Sequence, residues 1–249
     1  MTDRRIPPRR ERQFTSLSYD LEKLLLGSLV GDGCCKVQKN FLNARYQERH
    51  SIKQKEYFLW KIDKYKCLSS ENYLWYEKTT EKMRYCSRAL PDLTILANVV
   101  NEKGSQKKLT RKWLNSLTPL SLAILWCDDG SLISNTSKGV FCLDSFSFEE
   151  QKIFVRYLKI VWGIDSKIYE NKKGFYRTYL NRENLQKWCR LILPYIPVKS
   201  MLYKTTLLYK DLVLQERWIS EMIQYSQFSE DEIREIVEFR KTQLVYFRK

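Results

Sequence analysis

The run Leu25-Leu26-Gly27-Ser28-Leu29-Val30-Gly31-Asp32-Gly33 constrains this chain more than any other stretch. It is apolar, helical in character and thinned by small residues, and it ends on a carboxylate followed by glycine. The same plan returns at Leu122-Ala123-Ile124-Leu125-Trp126-Cys127-Asp128-Asp129-Gly130. A helix C-terminus already carries partial negative charge, so an acid placed there costs roughly a few tenths of a kcal/mol or more. A chain that repeats this arrangement has two acids in want of a common partner, and a divalent cation is the natural one.

Gly27, Ser28, Gly31 and Ala123 leave little side chain between backbones, so the two helices can approach closely. Packed side by side, they bring Asp32 and Asp129 together. Carboxylates that close repel strongly unless a proton or cations intervene. Hard oxygen donors select Mg²⁺, with two or three ions shared between the acids and phosphate oxygens completing their shells. The implied chemistry is metal-assisted in-line phosphodiester hydrolysis, one acid per strand, and therefore a double-strand cut. Read singly, each Asp-Gly pair is a tight turn. Duplication at the end of apolar helices argues against that. The Asp128 side chain reads as a structural or outer partner of Asp129.

The segments between these helices repeat as well. After Gly33 the period changes to two, with a hairpin turning near residues 40–43. Ser51 with Gln54 predicts a capping box for a helix carrying Tyr57, Phe58, Trp60, Ile62 and Tyr65 as core. A second hairpin spans 72–78 and 82–88, and a third helix runs from Pro91 to about Asn101. The second half replays the order: strands with Ile133 and at 141–145, a capping box at Ser147 and Glu150, a hairpin at 167–170 and 175–180, and a helix at 183–193. From Asp32 to Ser51 is 19 positions and from Asp129 to Ser147 is 18. That match predicts an α+β protein of two pseudosymmetric αββαββα halves.

The expected organisation is a basic arm (1–17), a first half (18–103), a linker (104–118), a second half (119–206) and a helical extension (207–249) with helices at 207–224 and 229–239. The chain carries 44 Lys plus Arg against 29 Asp plus Glu, yet residues 207–249 hold seven basic and eight acidic side chains. The whole excess of +15 therefore precedes residue 207, where a nucleic-acid face explains it best. Strand parity offers Lys36, Gln38, Arg45, Gln47 and Arg49 in the first half, joined by Lys82 and Arg84. The second half offers Lys167, Tyr169, Arg177 and Tyr179. Arginine and glutamine on a strand suit base edges in the major groove, and lysines suit phosphates. Seven cysteines form no C-x-x-C pair, which predicts buried free thiols in a reducing compartment. One histidine, His50, excludes nucleases that need a histidine pair, and with no ligand spacing around it the sequence argues against a zinc site. No stretch approaches the roughly 20 apolar residues of a membrane span.

The two nine-residue stretches resemble the paired signature helices of the LAGLIDADG homing endonucleases, in the branch that carries both copies in one chain. The likeness covers roughly residues 20–206, with Gly31 standing where alanine is usual. It implies that Asp32 and Asp129 bind metal, that the backbone carbonyls of Gly31 and Asp128 join the metal shell, and that Lys107 (with Lys108 nearly as good a candidate) and Lys204 organise water as catalytic lysines. It further implies four-stranded saddles over the major groove of double-stranded DNA, 3′ overhangs, a monomer, and an organellar setting in intron mobility. Two alternatives share the scaffold: a maturase that binds intron RNA and assists splicing, and a DNA-binding regulator without catalysis.

Overall fold

The computed structural model describes residues 17–102, 106–133 and 137–244. The basic arm, apart from Leu17, lies outside the described residues. The first half runs α1 (Tyr19–Val30), β1 (Cys34–Val37), β2 (Ala44–Ser51), α2 (Lys55–Lys64), β3 (Leu74–Glu77), β4 (Lys82–Cys86) and α3 (Pro91–Val100). A connector follows, with the short strands β5 (Asn101–Glu102) and β6 (Gln106–Lys107) and the helix α4 (Arg111–Asn115). The second half repeats the first: α5 (Pro119–Asp129), β7 (Gly130–Leu132), β8 (Gly139–Phe141), α6 (Phe148–Trp162), β9 (Lys167–Glu170), β10 (Tyr176–Leu180) and α7 (Arg182–Ile192). Two further helices close the chain, α8 (Leu212–Tyr225) and α9 (Glu230–Gln243).

The fold is α+β, and its two antiparallel four-stranded sheets share one topology, β1-β2-β4-β3 and β7-β8-β10-β9. Between them α1 and α5 pack along one another. The seam is tight because backbone meets backbone: a Cβ at Gly27 would lie 2.3 Å from the Ser121 carbonyl oxygen, and one at Gly31 would lie 2.6 Å from Asp128 Cβ. Ser121 Oγ donates across the seam to the Lys23 carbonyl at 2.7 Å. The contacts advance together along both chains, so the helices run parallel and their C-terminal tips meet.

Local chemistry explains where the helices begin. Ser18 caps α1, and Thr118 with Ser121 forms a capping box behind Pro119 at the start of α5. Ser147 and Glu150 form the expected capping box of α6. Ser51 and Gln54 do not. Ser51 Oγ accepts from Lys53 N and opens a 3₁₀ turn (Ile52–Gln54), while the Gln54 side chain turns to the His50 ring. Helix α2 therefore starts at Lys55. Its Tyr57, Phe58, Ile62 and Tyr65 are core as expected, with Trp60 packed at the margin.

The tail is helical only from Leu212, because Asp211 Oδ1 accepts from Val213 N and Leu214 N and fixes the start there. Strand β8 stops at Phe141, since Phe146 N bonds back to the Leu143 carbonyl at 3.0 Å and begins a turn. Between residues 104 and 118, Trp113 and Leu114 are buried, and Trp113 Nε1 donates to the Leu26 carbonyl. The thiols are free, but only Cys35, Cys86, Cys127 and Cys189 are buried; Cys67 is exposed. Helix α8 docks on α7 through the Arg190–Glu221 pair, and α9 reaches the 199–204 segment through Arg240, which donates to the Tyr203 carbonyl. Among the described residues no helix is long and apolar enough to cross a membrane.

Candidate active site at the paired helix tips

The last carbonyls of a helix have no partner within it, and the tip is electronegative. Here each tip receives a lysine. Lys107 Nζ donates to the carbonyls of Leu29, Gly31 and Gly33 at 2.9, 2.9 and 3.1 Å. Lys204 Nζ donates to those of Trp126, Cys127 and Asp128 at 3.4, 2.5 and 3.2 Å. The two lysines arrive by equivalent routes, each from the segment that follows its own half's third helix. The carbonyls of Gly31 and Asp128, expected to face metal, thus each accept from an ammonium. Burial pulls the Lys107 ammonium down, and Asp129, Asp32 and Asp128 partly offset this.

The acids sense one another. Asp129 is pushed up to about 7, first by burial and then by Asp32 and Asp128, with Lys107 and Lys204 opposing. Such a carboxylate favours a proton, or a cation in its place. The Asp32 carboxylate is 38% exposed and lies 3.8 Å from His50 Nδ1.

Beneath Asp32 lies a buried charge network. Lys61 Nζ bridges Glu48 and Asp128, with Asp128 Oδ1 and Oδ2 at 3.0 and 3.1 Å. Tyr57 Oη donates to Asp128 Oδ1 at 2.8 Å, and His50 Nε2 donates to Glu48 Oε1 at 2.6 Å. Burial pushes Asp128 up to about 6 against the pull of Lys61. Burial also raises Glu48, but Lys61 and His50 outweigh it and hold the carboxyl far below the ordinary range. For His50 burial works against the charge, yet Glu48 prevails and the ring is held above its usual value. The network ties α2 and β2 of one half to the tip of α5 in the other.

Sequence reading did not assemble this group. The signals were present: Glu48 and His50 share strand parity with buried Tyr46, and Lys61 falls at helical spacing among Tyr57, Phe58, Ile62 and Tyr65. Charges on a core-facing stripe demand partners inside.

The outward sheet faces hold the expected nucleic-acid residues together. Residues opposite one another in register project to the same side. Lys36 faces Arg45, Cys34 faces Gln47, Arg49 faces Arg84 and Ser51 faces Lys82. Gln38 sits just beyond β1, its carbonyl accepting from Phe41 N in the turn. In the second sheet Tyr169 faces Arg177 and Lys167 faces Tyr179, with the two tyrosine rings edge-on at 5.3 Å. Several arginines are already held: Arg84 and Arg49 by Glu77, Arg177 by Asp144 through two bonds of 2.7 Å, and Arg45 by the Ser87 carbonyl. Exposed Trp75, in register with Arg84, joins that face. Glu77, Asp144 and Trp75 were not among the expected residues.

Two copies of one αββαββα unit, joined by parallel helices that each lead into an acid and are each covered at the tip by a lysine from a later segment, define the two-copy class of helix-paired endonuclease folds. The chain belongs to the LAGLIDADG DNA endonuclease family, whose pattern matches residues 22–188. It is similar to the DNA endonuclease I-ChuI of Chlamydomonas applanata, at 25% identity over 214 residues, covering 77% of this chain and 96% of that one. It is also similar to the protein RecA of Mycolicibacterium chitae, at 27% identity over 202 residues, covering 76% of this chain and 47% of that protein. The chain thus spans about half the length of the RecA relatives it matches. Among solved structures, the homing endonuclease I-WcaI bound to its DNA recognition sequence superposes with a TM-score of 0.68 at 22% identity, over 82% of this chain and 96% of that one. The meganuclease I-AabMI bound to uncleaved DNA gives 0.50 at 11% identity, over 88% and 98%. These two likenesses establish the fold.

Proposed function

We propose that the chain is a site-specific homing endonuclease that cuts both strands of a long, asymmetric duplex target in a divalent-cation-dependent reaction. One observation carries the reading: Asp32 and Asp129 stand at the meeting tips of α1 and α5, each tip covered by a lysine and below a basic sheet face. The donor chemistry suits a hard divalent ion, since Asp129 lacks a full cationic partner among the described residues and favours neutralisation. Asp32 and Asp129 would hold Mg²⁺, which supplies an activated water and Lewis-acid stabilisation of the leaving oxygen. Lys107 and Lys204 fix the helix-tip carbonyls and place a positive charge beside each acid. Lys36, Gln47, Lys82, Lys167, Tyr169 and Tyr179 present donors to a groove. The arginines pinned by Glu77 and Asp144 are preset in direction rather than free to search. The family resemblance extends the reading to 3′ overhangs and intron mobility.

The test is incubation of purified protein with a supercoiled target library and Mg²⁺, beside an Asp32→Asn variant. Linear product that depends on Mg²⁺ and disappears in the variant supports the enzyme. Tight intron-RNA binding without cutting would replace it with the maturase, and duplex binding alone with the regulator.

A further inference from the structure

We infer that His50 completes a cation site with Asp32 and Asp128 in the first half alone, suited to an ion that accepts nitrogen as well as oxygen, such as Mn²⁺, Co²⁺ or Zn²⁺. The inference rests on the nuclease reading for the role of Asp32, and it adds an imidazole to what that reading makes an all-oxygen centre.

One ligand atom from each of Asp32, His50 and Asp128 lies within 4.8 Å of the others, and His50 Nδ1 is 3.8 Å from Asp32 Oδ2. An ion about 2.1 Å from both a nitrogen and an oxygen allows them to stand up to roughly 4.2 Å apart, so small shifts close the set. The ring is oriented as a metal-binding histidine requires. Its Nε2–H donates to buried Glu48 at 2.6 Å, so Nδ1 is the nitrogen that faces Asp32 and that would bind the ion once deprotonated. Nδ1–H donates to Gln54 Oε1 at 3.0 Å, so the ion would take the place of that proton and free the Gln54 side chain. Asp128 has its own supports in Tyr57 and Lys61, and the Lys61 ammonium offsets the excess of carboxylates. A recess of about 260 Å³ on the sheet face reaches Asp32 and is lined also by Gln47, Glu48 and Arg49, while His50 and Asp128 are buried.

The second half has no counterpart. His50 immediately precedes the capping residue Ser51; the residue in the same place before Ser147 is Phe146, whose ring lies 5.9 Å from the Lys107 ammonium. The chain contains one histidine, so the imidazole donor belongs to one helix tip only. Imidazole shifts a carboxylate site away from Mg²⁺ and Ca²⁺ toward transition metals.

The experiment is pulsed electron paramagnetic resonance of Mn²⁺ bound to the full chain. Modulation from a directly coordinated imidazole nitrogen is expected in wild type and in Asp129→Asn, and is expected to vanish in His50→Gln. Mn²⁺ affinity at that site should fall about tenfold or more in His50→Gln. The wild-type spectrum decides the matter even if the variant is unstable. Bound Mn²⁺ with no nitrogen modulation, in protein that still cuts DNA, overturns the histidine ligand and leaves the nuclease reading standing. Absence of both Mn²⁺ binding and cleavage overturns both.

Discussion

The two halves share element order, sheet topology, an acid-ended helix and a lysine that covers the helix tip, yet they solve the interior beneath that tip differently. The first half buries charge: Glu48, His50 and Lys61, reaching across to Asp128. The second half buries aromatic rings, with Phe141 against Trp126, Phe154 and Trp188 at centroid distances of 5.0, 5.2 and 4.9 Å. A fully buried polar side chain there, Gln151, is neutral and is satisfied by the Leu143 and Tyr176 carbonyls and the Thr178 hydroxyl. Counted from the capping serines, His50 and Lys61 correspond to Phe146 and Tyr157. The features common to both halves are those the proposed chemistry needs twice. The charged network is private to one half, and its role is to lock that half onto the opposite helix tip.

Substitutions can separate the shared layer from the private one. The largest effect belongs to the shared layer. Asp32→Asn and Asp129→Asn should each lower double-strand cleavage by on the order of 10³-fold or more, measured as linear product with Mg²⁺. If only one of them does so, the tips are not equivalent. Next, Lys61→Ala strands Glu48 and Asp128 without their cation and should cost about 3–5 kcal/mol in urea unfolding. Its positional counterpart Tyr157→Phe should cost below about 1 kcal/mol, because the Tyr157 hydroxyl accepts no bond that holds the two halves together. Equal losses would erase the distinction between the interiors. A smaller effect is expected at the seam, where Gly31→Ala drives a methyl against Asp128 and should cost about 1–3 kcal/mol.

The mildest effect concerns pH. Burial and the neighbouring acids push Asp129 from 3.8 up to about 7, so the folded state holds its proton more tightly than the unfolded chain does. Stability from this group is full below about pH 4 and is lost as pH rises through 7. His50, raised by Glu48, acts in the same direction, since its proton too is held more tightly when folded. Thermal melts in chelator should therefore decline from pH 5 to pH 8. Added Mg²⁺ should restore more stability at pH 8 than at pH 6. A flat profile would mean that neither group is displaced from its ordinary titration.

Much of this was legible in the sequence, because its signals were local. Small residues at 27, 28 and 31, the capping residue Thr118 with Pro119, and the repeated interval from acid to serine report on neighbours within one helix or one turn. The bounds of α5 and of β9 follow from such signals, as does the placing of Lys36 and Arg45 on one face. The charge network was not readable, since Lys61 finds Asp128 at a separation of 67 residues and nothing near either position names the other. Strand parity sets Glu48 and His50 on the same face as buried Tyr46, but it carries no information on what neutralises them. The pinned arginines were hidden for the same reason: Arg177 meets Asp144 at a separation of 33 residues.

The Gly27–Ser121 contact carries one further consequence. Where main chain rests on main chain, the fit depends on the absence of atoms, and most substitutions elsewhere leave it untouched. The sheets can therefore exchange their outward residues freely while the spacing of the two acids stays fixed. A recombinant that joins this first half to a relative's second half should keep its geometry provided both partners retain small residues along that line.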